Sequence, residues 1–147
     1  MINYFDAAEN TLRGRGFLDS ALKNLERRKE RIVQHGSPAG DPLPDFSKPY
    51  ASTSAVNDTL AECLELAEVV REIKATEEKI QEIDAVISQL DEAGRDIIRL
   101  WYIEGKSKDE IAAAVNYAST RSIYDLRNSA VAEFALRYFG AGALTSV

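Results

Sequence analysis

Residues 90–130 read LDEAGRDIIRLWYIEGKSKDEIAAAVNYASTRSIYDLRNSA, and this stretch decides the fold of the chain. Apolar residues at helical spacing run up to Gly105 and predict one helix, and Ser107 marks the start of a short second helix. A polar turn at Asn116–Thr120 precedes a third helix, which carries Ile123 on its apolar face. Three helices in this order and of these lengths are what a helix-turn-helix requires.

The third helix also carries a polar face. Its residues follow the i, i+3, i+4, i+7 spacing that places side chains on one side of a helix; they are Arg121, Tyr124, Asp125 and Asn128. Arg121 is suited to guanine or a phosphate, Asn128 to adenine, and Tyr124 to a thymine methyl or a phosphate. Asp125 either accepts a hydrogen bond from cytosine or orients Arg121. These residue types predict that this face reads bases in a major groove.

Capping residues fix where the two last helices begin. Ser107, with Glu110 three residues later, matches a capping box, and Ser119 or Thr120 is suited to cap the third helix. A cap there leaves backbone N–H groups free to hold a phosphate. The cations interpreted as contacts to the phosphate backbone are Lys106, Lys108 and Arg127. The full predicted DNA-binding set is Lys106, Ser107, Lys108, Ser119, Thr120, Arg121, Ser122, Tyr124, Asp125, Arg127 and Asn128.

The front of the chain predicts further helices and one long loop. A short helix from Asn3 to Arg13 is weakened by Gly14 and Gly16, and a second helix runs from Phe17 to His35. All four prolines lie in the segment from residue 36 to 54, which therefore predicts a loop.

A long helix is predicted from Ala55 to Leu90, because apolar residues recur every seven positions in two interleaved rows. One row is Leu66, Ile73, Ile80 and Ile87, and the other is Val69, Thr76, Ile83 and Leu90. We expect the second helix to fold back on this seam as an antiparallel hairpin. Because the second helix is shorter, much of the seam is expected to be covered by a second copy of the chain in a dimer.

We therefore expect an all-α protein with two regions. Residues 1–90 form a coiled-coil-like helical hairpin that dimerises and contains the Pro-rich loop at 36–54. Residues 91–147 form a three-helix, helix-turn-helix DNA-binding domain.

Charge argues mildly against nucleic-acid binding, since the net charge is −6. Most of the acidity lies on the long helix, where Ala55–Glu92 contains three Lys/Arg against eleven Asp/Glu. From Glu92 onward the numbers are seven and seven. A nearly neutral head predicts weak binding by a monomer, so a dimer or a second protein is expected to add affinity. The acidic helix also raises contact with RNA polymerase as a hypothesis.

These residues resemble two known protein families. The segment Tyr102–Ala112, with its Y-x-E-G-x-S turn and E-I-A helix, resembles region 4 of bacterial sigma factors. Nearly the whole chain resembles the ArpU/RinA-like regulators of phages and prophages, through Glu104–Ala112, Arg121–Ala130 and the aromatic-glycine tail Tyr138–Gly140. The resemblance implies binding to double-stranded DNA and control of phage late or packaging genes. Asn116 departs from the glycine common at that turn, and the turn is about one residue longer than in sigma region 4.

Other classes of function find little support in the residues. No phosphate loop, nucleophile set or zinc spacing occurs, so we predict neither an enzyme nor a cofactor or metal site. His35 is interpreted as a helix-end residue and Cys63 as a buried apolar one. A single cysteine, no apolar run long enough for a membrane and no signal peptide predict a cytoplasmic protein. The alternative function is a non-catalytic helical adaptor or a phage packaging protein of the small-terminase type.

Overall fold

The computed structural model describes residues 2–36, 53–115 and 120–145, and within these ranges the fold is all-helical with no strand. Side chains at 36, 53–56, 120, 121 and 145 lie outside the description. The helices are α1 (Tyr4–Gly36), α2 (Thr53–Ile87), α3 (Glu92–Ile98), α4 (Lys108–Val115) and α5 (Thr120–Phe139). A π-helical turn, Arg99–Ile103, follows α3, and a 3₁₀ turn, Ala141–Thr145, follows α5. None of the described helices has the length and apolarity needed to span a membrane.

Most of the predicted Pro-rich loop lies outside the described residues, whereas Gly36 closes α1 and residues 53 and 54 open α2.

The prediction of two helices in the first 35 residues is wrong, because α1 is continuous from Tyr4 to Gly36. Gly16 lies where α1 passes close to the π turn: a Cβ built on Gly16 would be 3.2 Å from the carbonyl oxygen of Tyr102 and 3.3 Å from that of Ile103. Glycine here permits close approach of two backbone segments and does not interrupt the helix.

Alanine at the two glycines is expected to have different effects. Gly14→Ala should stabilise the protein by about 0.5–1 kcal/mol, since nothing lies within 4 Å of its Cβ and alanine favours helix. Gly16→Ala should lose that gain against the two carbonyls, and Gly16→Val should destabilise by about 1–3 kcal/mol. Urea unfolding of the three variants measures this. Equal stabilisation at both glycines would contradict the close approach.

Contacts divide the chain into two compact units. The first unit comprises Met1–Asp19 and Lys79–Val147, and the second comprises Ser20–Glu78. The domain boundary expected after residue 90 stays a prediction. By contacts, the first turns of α1 and the end of α2 belong with the C-terminal helices.

The first unit has one apolar core. Helices α3, α4 and α5 pack against one another; α1 contributes the buried Ala8 and Leu12, α2 contributes Ile83, and Leu90 follows from the turn after α2. The largest fully buried side chains of this core are Leu12, Ile83, Leu90, Ile97, Ile98, Ile111, Ile123, Val131 and Phe134. At its margin Arg15 forms a two-pronged ion pair with Asp84, at 2.7 and 2.9 Å, which joins α1 to α2.

The second unit consists of the later part of α1 and the first part of α2. The predicted seam residues are the inward positions of α2 here: Val69 is buried, and Leu66, Ile73 and Thr76 are half-buried. Arg28 Nη2 lies 3.4 Å from Glu65 Oε1 and pairs the two helices.

Candidate nucleic-acid interface

Helix α3 and the π turn set the scaffold of the candidate interface. The Asp91 carboxylate caps α3 by accepting a hydrogen bond from the Gly94 N–H at 2.7 Å. The π turn ends at Ile103, and two residues later Gly105 adopts a φ of 63°, a left-handed conformation that suits glycine. The sequence therefore located the end of this helical segment correctly but gave no sign of its π geometry.

Helix α4 begins as the capping motif predicts. Ser107 Oγ accepts a hydrogen bond from the Glu110 N–H at 3.3 Å, and the Ser107 carbonyl accepts one from the Ile111 N–H at 2.9 Å. Lys106 Nζ lies 3.9 Å from the Glu110 carboxylate. Lys106 precedes α4 by two residues and Lys108 is its first residue, and both are exposed.

Helix α5 buries one side and leaves another open. Ile123, Val131 and Phe134 are fully buried in the core, whereas Asp125 and Asn128 are exposed. Two of the polar residues predicted to read bases therefore point to solvent.

A cation and an aromatic ring connect the start of α4 to this open side. Lys108 Nζ lies 4.9 Å from the centre of the Tyr124 ring, a cation–π contact. Tyr124 in turn meets Trp101 of the π turn edge-on, with ring centres 5.3 Å apart. Tyr124 and Asn128 are one helical turn apart. We call the surface formed by Lys106, Lys108, Tyr124, Asp125 and Asn128 the α4–α5 face.

Arg127, predicted to contact a phosphate, packs instead against two aromatic rings and a carboxylate. Its guanidinium carbon is 4.7 Å from the Trp101 ring centre and 5.5 Å from that of Tyr124. Arg127 Nη1 lies 3.5 Å from the Glu9 carboxylate, and the two side chains are only 17% and 13% exposed. The Nε atom of Arg127 is buried without a hydrogen-bond partner among the described residues. Arg127 is thus engaged inside the first unit, and we leave it out of the α4–α5 face.

Glu9 is the shared acceptor of this cluster. The Tyr102 hydroxyl donates to Glu9 Oε2 at 2.9 Å, and Arg13 Nη2 lies 3.0 Å from the same oxygen. Burial, and then the hydrogen bond to Glu9, raise the pKa of Tyr102 to about 12. One carboxylate on α1 therefore holds groups from the π turn and from α5.

Sequence reasoning missed Glu9 and its contacts with Tyr102 and Arg127. Glu9 is 93 positions from Tyr102 and 118 from Arg127, so no local spacing links them. The only local sign was the pairing of Glu9 with Arg13 one turn later on α1.

The shifted pKa of Tyr102 predicts a pH effect on stability. The ordinary pKa is 10.0 and the folded value about 12, so the unfolded chain loses this proton first. The contribution is fully present below about pH 10 and is lost as pH rises toward about 12, which amounts to about 3 kcal/mol. Between about pH 10 and 12, the free energy of unfolding measured in urea should fall less steeply with pH for Tyr102→Phe than for wild type. Parallel curves would contradict the burial of the hydroxyl.

The other predicted site residues stand as follows. Ser119 and the turn from Asn116 lie outside the described residues, and the side chains of Thr120 and Arg121 are likewise not described. Ser122 is half-buried and has an interaction of its own. Cys63, expected to be buried, is exposed, because it lies off the seam of α2.

The described residues contain no group of three His, Cys, Asp or Glu side chains able to hold a metal ion. Comparison with protein-family models, with curated proteins and with solved structures gives no match for this chain.

Proposed function

We propose that this protein is a sequence-specific DNA-binding transcriptional regulator of phage, prophage or mobile-element genes. In this proposal α3, α4 and α5 form a helix-turn-helix head, and α1 and α2 form a helical hairpin. The observation that carries it is the open side of α5, where Asp125 and Asn128 are exposed on the helix whose Tyr124 ring lies 4.9 Å from Lys108 Nζ. The resemblance to ArpU/RinA-like regulators supports the choice of target genes.

Each residue of the α4–α5 face has a role in the proposal. Asn128 pairs with adenine in the major groove, and Asp125 accepts from the amino group of cytosine. Lys106 and Lys108 contact phosphates, which adds affinity without sequence preference. Tyr124 holds Lys108 by its ring and presents its hydroxyl to a phosphate.

Charge sets the expected strength of binding. The face offers two lysines and one aspartate, and Arg127 is engaged by Glu9. A monomer therefore gains little non-specific affinity from phosphates. We propose that a second copy of the chain supplies a second head, and that RNA polymerase is a further partner of the acidic α2.

The test is selection of duplexes from a random-sequence library by the full chain, followed by affinity measurements on the enriched site. Asn128→Ala should relax the preference at one base position, at a cost of about 1–3 kcal/mol on the enriched site. Lys108→Ala should weaken binding uniformly across sequences and reduce the salt slope by about one.

Arg137→Ala is the matched control, because it removes one positive charge from the far end of α5, where Arg137 pairs with Glu133 at 3.6 Å. It should leave the preferred sequence unchanged. The proposal fails when no duplex is enriched above background, or when Asn128→Ala leaves the selected sequence intact.

The alternative, a helical adaptor or packaging protein, draws support from the same charge balance, since the net charge is −6 and one predicted cation is engaged internally. A folded chain that retains no duplex at low salt would favour it.

A further inference from the structure

The first part of α2 carries an apolar stripe that is distinct from the seam. Leu60, Leu64 and Val70 are 57%, 61% and 44% exposed, and the exposed Cys63 and Ala67 lie between them. Positions 60, 64, 67 and 70 are three or four apart and Cys63 adjoins Leu64, so the five form one continuous stripe along about three turns. The seam residues Leu66, Val69 and Ile73 point elsewhere, because they are buried or half-buried.

The second unit also has two apolar residues on one side of α1, Leu22 and Val33, with the exposed Glu26 and Lys29 between them. Val33 is exposed and Leu22 is half-buried. Eleven residues make about three helical turns, so both lie on one side of α1.

Charge favours contact between unlike helices. Residues 20–36 of α1 contain five Lys/Arg and two Glu, whereas residues 57–78 of α2 contain two Lys/Arg and seven Asp/Glu. Within one chain this attraction is already used between Arg28 and Glu65. Two α2 helices laid side by side would repel each other, whereas α2 against another α1 would attract.

We infer that the occupant of the stripe is a second copy of this chain. The two copies form an antiparallel four-helix bundle in which the α2 stripe of each copy packs on the Leu22–Val33 strip of the partner's α1. This inference rests on the dimer in the proposed function. It places the dimer interface on the α2 stripe and not on the seam. In such a symmetric pair, the α2 stripe and the Leu22–Val33 strip of each copy both contact the partner.

Light scattering after size exclusion, over a range of protein concentrations, tests the pairing. The wild-type chain should be a dimer, and Leu64→Glu should raise its dissociation constant at least about tenfold, because it places a charge in an apolar contact. Ala61→Glu is the control: the same helix gains the same charge at an exposed position off the stripe, and the dimer should persist. Circular dichroism should confirm that each variant keeps its helices.

Cys63 is a built-in reporter for the same question. A thiol reagent should modify it rapidly in dilute monomer and at least about tenfold more slowly in the dimer, where the partner's α1 covers it. Rapid formation of a Cys63–Cys63 disulfide between copies would overturn the arrangement, because it would place α2 against α2. A chain that stays monomeric at every concentration, or a dimer that Leu64→Glu does not weaken, would also overturn it.

The outcomes for pairing and for DNA binding separate cleanly. A monomer that still selects a duplex overturns the pairing alone. A stripe-dependent dimer that selects no duplex supports the pairing and overturns the proposed function.

Discussion

A fragment of residues 91–147 is expected to be largely unfolded, although it contains every helix of the predicted DNA-binding domain. The core of the first unit takes Ala8 and Leu12 from α1 and Ile83 from α2, and Leu90 is also missing from the fragment. Without them the core that contains Ile97, Ile98 and Phe134 loses part of its apolar packing. Truncating a buried leucine to alanine alone costs about 2–5 kcal/mol, against a total stability of about 5–15 kcal/mol for a domain.

Circular dichroism and urea unfolding of the fragment measure this directly, and Leu12→Ala in the full chain gives the graded version. Phe17→Ala is its matched control, because Phe17 is a larger apolar residue on the same helix but is 74% exposed, whereas Leu12 is 0% exposed. Leu12→Ala should cost about 2–5 kcal/mol and Phe17→Ala at most about 0.5 kcal/mol. Cooperative unfolding of the fragment at the wild-type midpoint would refute this view of the core.

Local signals predicted local structure well. The cap at Ser107 and the end at Gly105 follow from interactions within a few residues, and both are present in the structure. The inward positions of α2 follow from a spacing of seven. Each of these features depends on neighbours along one helix, so the sequence carries enough information to find them.

Contacts between residues far apart in the chain could not be predicted from the sequence. Gly16 resembles a helix breaker when only its neighbours are considered, but its role is set by the carbonyls of Tyr102 and Ile103. Arg127 resembles a free cation on a recognition helix, but its partner Glu9 comes from the other end of the chain. In both cases the deciding contact joins residues more than eighty positions apart, and helical periodicity says nothing about which helices meet.

Among substitutions of charged residues, replacement of Glu9 is expected to lower the free energy of unfolding the most. Glu9→Ala leaves Arg127 without its carboxylate in a site where it is only 17% exposed, and it leaves the Tyr102 hydroxyl without an acceptor. Removing one partner of a desolvated ion pair costs about 3–5 kcal/mol, because the remaining charge stays buried and unpaired. Glu9→Gln should cost less, since the amide oxygen still accepts from Tyr102 while the charge is gone.

Arg13 supplies the control for Glu9, because it pairs with the same oxygen at 3.0 Å, closer than Arg127 at 3.5 Å, but is 57% exposed. If distance decided the energy, Arg13→Ala would cost more than Arg127→Ala. We expect the reverse, with at most about 1 kcal/mol for the exposed arginine, because solvent screens Arg13 while Trp101 and Tyr124 enclose Arg127. Double-mutant cycles of each arginine with Glu9, read by urea unfolding, measure the two couplings. A larger coupling for Arg13 would mean that Arg127 is solvated and free, and would return it to the set of residues able to contact a phosphate.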